Sequence, residues 1–178
     1  MSVTSALRQD VSAPPARPSF ARVAEENLDV VHRYLAHLVR DAHLAEDLTS
    51  ATFERAMRDW RRFDPGRGRV SVWLVEIARR VALDHFRREG RRRAREERYA
   101  AEQPSSNPGP EAGQGGLSEE LRAALGRLSR GERELVALRV VLGLDAAETG
   151  RVTGTSASAV GTGLHRALTK LRQEVGRP

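Results

Sequence analysis

Apolar residues recur at three- and four-residue steps through most of the chain, the period of helices with one buried face. Leu28, Val31, Leu35 and Leu38 set the pattern from Asn27 onward. Leu48, Thr52, Phe53, Ala56, Met57 and Trp60 repeat it on a second stretch. The cluster Asp64-Pro65-Gly66-Arg67-Gly68 then interrupts it, because proline and glycine favour turns. Val70, Trp73, Leu74, Ile77, Val81 and Phe86 mark a third helix, which runs into Arg91-Arg92-Arg93. Three amphipathic helices in succession predict a small bundle.

Residues 1–22 contain Pro14, Pro15 and Pro18 without any period, and read as a flexible tail. Residues 94–116 read as a flexible linker, with Pro104, Pro108, Pro110 and four glycines between Gly109 and Gly116. Helical periodicity resumes at Leu117, Leu121, Leu125 and Leu128, continues through Leu135, Leu138 and Val141, and ends on Val160, Leu164, Leu168, Leu171 and Val175. Strand-like alternation and internal repeats are absent. The expected fold is all-α: a three-helix domain over 23–93 and a four-helix domain over 117–178, joined by the linker.

Composition narrows the chemistry. Among 178 residues there is no cysteine, so disulfides, thiolate nucleophiles and cysteine-built zinc sites are excluded. Only eight residues are aromatic, which argues against a large aromatic-lined substrate pocket. With no apolar run near the ~18 residues of a membrane span and no signal-peptide pattern, a cytoplasmic location is expected. The net charge is +6, and 29 of the 30 basic residues are arginine. Its distribution says more than its sum. Residues 23–60 hold four basic and eight acidic side chains, whereas residues 61–98 hold thirteen basic and six acidic. Such a basic block suits a surface that meets phosphates, or a solvated arginine-rich face.

Catalytic constellations are missing. His32, His37, His43, His85 and His165 show no metal-ligand spacing, and Lys170, the sole lysine, lies far from any phosphate-binding glycine loop. No serine occupies a nucleophile elbow. Tyr34 and Tyr99 lack the clustered arginines a recombinase tyrosine needs. Neither an enzyme nor a cofactor or metal site is expected. What does stand out is residues 145–172. Asp145 can cap a short helix, Gly154-Thr155-Ser156 makes a turn, and a longer helix follows with Val160, Leu164 and Leu168 inward. This is a helix-turn-helix pattern, which an ordinary helical hairpin also satisfies.

Several stretches then agree in order and spacing with one family. They are Ala45-Glu46-Asp47-Leu48 through Phe53-Glu54-Arg55-Ala56, Trp60-Arg61-Arg62-Phe63-Asp64, Val72-Trp73-Leu74 with Ile77-Ala78-Arg79, and Leu83-Asp84-His85-Phe86-Arg87-Arg88. In the second half they are Leu125 through Leu128, Glu132-Arg133-Glu134 and Leu164-His165-Arg166-Ala167-Leu168 with Leu171-Arg172. Over residues 24–92 and 117–175 the chain resembles the extracytoplasmic-function (ECF) sigma factors of the bacterial sigma-70 family.

The resemblance implies a non-catalytic initiation factor that binds core RNA polymerase and promoter DNA, both duplex and the melted non-template strand. Glu46, Asp47, Ser50, Ala51, Glu54 and Arg55 would meet the polymerase clamp, and the acidic charge of this segment suits a protein partner. The −10 element would fall to Arg62, Phe63, Arg67, Arg69, Trp73, Arg79, Arg80, Asp84, Arg87 and Arg88, with guanidinium groups for phosphates and aromatic planes for unstacked bases. Trp73 equally suits the core. The −35 element would meet Thr155, Ser156, Ala157, Ser158, Thr162, His165, Arg166 and Lys170, and the linker would thread through the polymerase. Many family members are held inactive by an anti-sigma partner covering the polymerase-binding face.

Three departures matter. Ser50-Ala51 replaces the usual Gln-Glu pair of the docking helix, Arg80 stands where asparagine is common, and Gly161-Thr162-Gly163 replaces a serine flanked by basic residues. Interior glycines cost ~1 kcal/mol each relative to alanine, so a soft −35 contact is expected, with specificity leaning on the −10 element. The other reading of Ser50-Ala51 is a sigma-derived helix-turn-helix regulator that binds duplex DNA with weakened polymerase affinity.

Overall fold

The structure, a computed structural model, describes residues 18–99 and 119–175. Among them every regular element is helical. Helix α1 (Phe20–Val39) opens inside the expected 1–22 tail because the Ser19 hydroxyl accepts from the Arg22 N–H. It closes on Arg40 in a left-handed conformation (φ 60°), whose N–H donates to the Ala36 carbonyl. Helix α2 (Ala42–Asp59) is capped by the Asp41 carboxylate, which accepts from the Leu44 N–H at 3.0 Å.

Two short 3-10 turns, Trp60–Arg62 and Pro65–Arg67, follow. Asp64 accepts from the Gly66 N–H at 2.9 Å, and Gly68 adopts a φ of 144° that side-chain-bearing residues avoid. Helix α3 (Val70–Tyr99) then spans about 45 Å. It therefore continues through the basic string and into the expected 94–116 linker. Glu89 bonds both Arg92 and Arg93 along the helix surface, pairings that favour continued helix over coil. Residues 100–116, the remainder of the expected linker, lie outside the described residues, as do residues 1–17 of the tail.

The second half comprises α4 (Glu119–Arg127), α5 (Arg130–Val136), a π-helical turn (Ala137–Val141), α6 (Ala146–Thr153) and α7 (Ala157–Val175). Ser129 with Glu132, and Asp145 with Glu148, form reciprocal capping boxes at the starts of α5 and α6. Gly154 (φ 73°) ends α6, and the Ser156 hydroxyl accepts from the Ala159 N–H at 3.1 Å to open α7. The expected helix-turn-helix is thus α6 and α7.

Three of the apolar assignments fail. Leu28, Met57 and Val175 are 50%, 60% and 45% exposed. The inward stripe of α1 runs through Val23, Asn27, Val31, Leu35 and Leu38, with the Asn27 amide donating to the Val23 carbonyl at 2.8 Å. That of α2 runs through Ala45, Leu48, Thr52 and Ala56, so Leu28 and Met57 each sit about 100° off the stripe.

The two halves, the two helical domains expected, also pack against each other. They share one core: Ala137, Leu138, Leu144 and Val152 are buried together with Val31, Leu35, Leu74 and Ile77. α5 and the π-helical turn lie on α1, and α6 lies on α3. A smaller cluster around Leu128, Val136 and Ala167 holds α4, α5 and α7 together.

Candidate nucleic-acid interface

The loop between α2 and α3 is built on aromatic packing. Phe20, Trp60, Phe63 and Trp73 form a continuous run, with Trp60 and Phe63 stacked at 5.2 Å and 7° and Phe63 tilted against Trp73 at 5.2 Å. Trp73 is half-buried: it packs against the core and also lines the cavity beside this loop. Arg62, Phe63, Arg67, Arg69, Trp73 and Arg80 converge on one cavity of about 500 Å³, so six of the ten residues expected at the −10 element come together. Arg151 from α6 lines the same cavity.

The other four lie elsewhere. Arg79 turns away from this cavity into the contact between the halves. Asp84, Arg87 and Arg88 lie further along α3, where Asp84 pairs with Arg87 at 3.3 Å and with Arg55 of α2 at 3.8 Å. On α2 itself Glu46, Asp47, Ser50 and Glu54 are exposed and Ala51 is partly so. The residues expected to dock on polymerase therefore form an open, acidic face, with Arg55 at its α3 border.

At the start of α7, Thr155, Ser156, Ala157, Ser158, Thr162, His165 and Arg166 are all exposed. The Thr162 hydroxyl donates to the Ser158 carbonyl at 3.2 Å, and Thr155 shares a hydrogen bond with Thr153 at 2.8 Å. Lys170 instead reaches Glu132 at 2.7 Å, tying α7 to α5 and holding the Glu132 carboxyl below its ordinary pKa. The two glycines have different surroundings. A Cβ on Gly161 would meet nothing within 4 Å, whereas one on Gly163 would lie 2.6 Å from Leu135 Cδ1. Gly163 lets α7 approach α5; Gly161 has no such packing reason.

Four residues that sequence reasoning gave no site role join the two halves: Tyr34, Glu134, Glu148 and Arg151. Tyr34 is wholly buried and donates to Glu134 Oε1 at 2.7 Å, while Arg79 Nε donates to the same oxygen at 2.8 Å. Burial, with the adjacent Glu134 charge, pushes the Tyr34 hydroxyl well above its ordinary pKa. Arg69 donates to both carboxylate oxygens of Glu148 at 2.8 and 2.7 Å, which holds that carboxyl below its ordinary pKa. Arg130 of α5 stacks over the Phe86 ring of α3 at 4.6 Å.

Family models for Sigma-70 region 2 and for Sigma-70, region 4 match residues 23–92 and 118–171. The RNA polymerase sigma factor CarQ of Myxococcus xanthus is 34% identical over 90% of this chain and 91% of its own length. The chain belongs to the extracytoplasmic-function sigma factors of the sigma-70 family. The ECF RNA polymerase sigma factors BldN of Streptomyces coelicolor and SigE of Mycolicibacterium smegmatis are 35% and 33% identical, and this sigma factor spans 59% and 63% of their lengths.

Solved structures share its fold. The sigma factor RpoE in complex with the anti-sigma factor NepR, from Bartonella quintana, superposes with a TM-score of 0.70 at 22% identity, covering 88% of this chain and 96% of that one. CnrH in complex with the cytosolic domain of CnrY gives 0.61 at 22% identity, covering 86% and 85%. Region 2 is accordingly α1–α3 with the arginine–aromatic loop, and region 4 is α4–α7 with the helix-turn-helix. Among the described residues no helix is long and apolar enough to cross a membrane, and no group of side chains is suited to hold a metal ion.

Proposed function

We propose that this ECF sigma factor carries core RNA polymerase to a defined set of promoters in the cytoplasm, on the nucleoid while active. The exposed acidic face of α2, from Glu46 to Glu54, docks on the polymerase. The cavity of Arg62, Phe63, Arg67, Arg69, Trp73 and Arg80 takes the non-template strand of the −10 element, guanidinium groups on phosphates and aromatic planes against unstacked bases. The start of α7 enters the major groove at the −35 element, with Ser158, Thr162, His165 and Arg166 toward the bases and backbone. An anti-sigma protein is a further partner, in keeping with the RpoE–NepR and CnrH–CnrY complexes of the same fold.

The observation that carries this reading is the match of both family models in order, on a chain whose helix-turn-helix leaves its second helix exposed. Reconstituted transcription tests it. Core polymerase with the purified chain on fragmented genomic DNA should yield discrete transcripts that core alone does not. Tight duplex binding by the chain alone, with no polymerase association and no transcript, would instead identify the helix-turn-helix regulator.

A further inference from the structure

Three arginines converge where the end of α1 meets α4 and α5. Arg40 closes α1 in a left-handed conformation (φ 60°), the backbone that glycine ordinarily supplies at a helix end and that strains a residue with a side chain. Its guanidinium lies on α4, with Nη1 2.9 Å from where a Cβ on Gly126 would stand. Arg133 of α5 reaches the same end of α4 and donates through Nη1 to the Leu128 carbonyl, whereas its Nε–H is buried without a hydrogen-bond partner. Arg130 sits one turn back on α5, its guanidinium 4.6 Å from the centre of the Phe86 ring.

Among the described residues no carboxylate answers these three charges. Asp41, next to Arg40, caps α2. Glu132 pairs with Lys170 and closes the Ser129 cap, Glu134 takes Tyr34 and Arg79, and Glu174 takes Arg127. The carbonyl end of α4 offsets about half a unit of charge, which leaves most of the positive charge uncompensated. Burial first, and then the Arg40 and Arg130 charges, hold the Arg133 guanidinium below the ordinary arginine range.

We propose that Arg40, Arg130 and Arg133 form a site for a phosphate-bearing small molecule, with two linked phosphoryl groups held among the three guanidinium groups. The planar fork of each guanidinium matches a pair of phosphate oxygens. A single phosphate group carries about −1.5 to −2 at neutral pH, so a diphosphate answers three arginines better than a monophosphate does. The unused Nε–H of Arg133 is recessed, which suits a compact anion better than the backbone of a rigid duplex. Phe86 holds Arg130 and the Leu128 carbonyl holds Arg133, so little side-chain ordering is left for the ligand to impose. None of the three arginines belongs to the faces assigned above to polymerase, the −10 element or the −35 element, so the site stands apart from those readings.

Isothermal titration of inorganic pyrophosphate into the full chain, at about 150 mM chloride to screen loose surface charge, tests the site. Pyrophosphate should bind saturably, near one equivalent, and inorganic phosphate several-fold more weakly. R40G gives glycine to a backbone that glycine favours, and R130Q changes an exposed position. Each should weaken pyrophosphate binding about tenfold or more, with helical content by circular dichroism unchanged. R58Q, exposed on α2, should bind as the wild type does.

Absence of saturable binding overturns the site, as does full affinity in R40G and R130Q, or a loss in R58Q equal to theirs. Equal affinity for phosphate and pyrophosphate overturns the assignment to two phosphoryl groups. Displacement of pyrophosphate from the wild type by an equimolar short duplex of mixed sequence overturns the small-molecule ligand and gives the three arginines to the DNA backbone.

Discussion

Replacing Tyr34 by phenylalanine removes one oxygen from the centre of the contact between the two regions. The ring stays, so packing against Val31 and Leu35 is unchanged to first order and no cavity opens. What is lost is a hydrogen bond of 2.7 Å from a fully buried hydroxyl to a carboxylate that is only 7% exposed. Hydrogen bonds to charged acceptors contribute about 1.5–3 kcal/mol, and Arg79 still serves Glu134, so a loss of about 2 kcal/mol is expected. For a chain of this length that lowers the melting temperature by about 4–8 °C.

The pH dependence carries the same signature. The Tyr34 pKa is raised by burial and by Glu134, so its contribution is complete below the ordinary tyrosine range and is lost as pH rises through the raised value. Wild type should therefore lose stability at alkaline pH more steeply than Y34F. Urea unfolding followed by circular dichroism, on wild type, Y34F, E134Q and the double variant, measures both the loss and the coupling. A Y34F stability within about 0.5 kcal/mol of wild type, or a coupling energy near zero, would refute the role given to this hydrogen bond.

Three further outcomes follow from the same geometry. G161A should stabilise the chain by about 0.5–1 kcal/mol, since its Cβ meets nothing. G150A should destabilise by about 1–3 kcal/mol, because its Cβ would lie 2.6 Å from the Thr155 backbone carbonyl in the helix-turn-helix; thermal unfolding separates the two signs. Installing the family's pair, Ser50→Gln with Ala51→Glu, should slow dissociation from core polymerase several-fold in surface plasmon resonance, because both positions lie on the open face of α2. Base substitutions at the −10 element should reduce reconstituted transcription more than those at the −35 element, as Arg166 is the lone charged residue on the exposed start of α7.

Local signals were readable in the sequence because the residues that make them are neighbours. The Asp145 cap, the Gly154 turn and the Val160–Leu164–Leu168 stripe announce a helix-turn-helix within a few residues of one another. Basic and aromatic residues from Arg62 to Arg80 likewise fall on one loop and the first turns of one helix, so their convergence on a cavity follows from proximity along the chain.

The contact between the regions was not readable. Tyr34 and Glu134 are 100 positions apart, Arg69 and Glu148 79. Helical periodicity says that Leu138 and Val152 are buried, but not that α1 and α3 cover them. Charge counting likewise could not name partners: Arg69 and Arg79 each pair with a glutamate from the other half. Nor could spacing distinguish Gly161 from Gly163, whose difference lies entirely in the Leu135 side chain opposite.

Genome-wide mapping of transcript 5′ ends, with polymerase co-purification, tests the sigma-factor assignment most directly. Expression of the chain in its host should create new transcript starts that share −10 and −35 sequences at fixed spacing. The chain should co-purify with core polymerase, and both effects should be lost when Glu46, Asp47 and Glu54 are replaced together by alanine. Absence of new starts, with no polymerase bound to the intact chain, would contradict it.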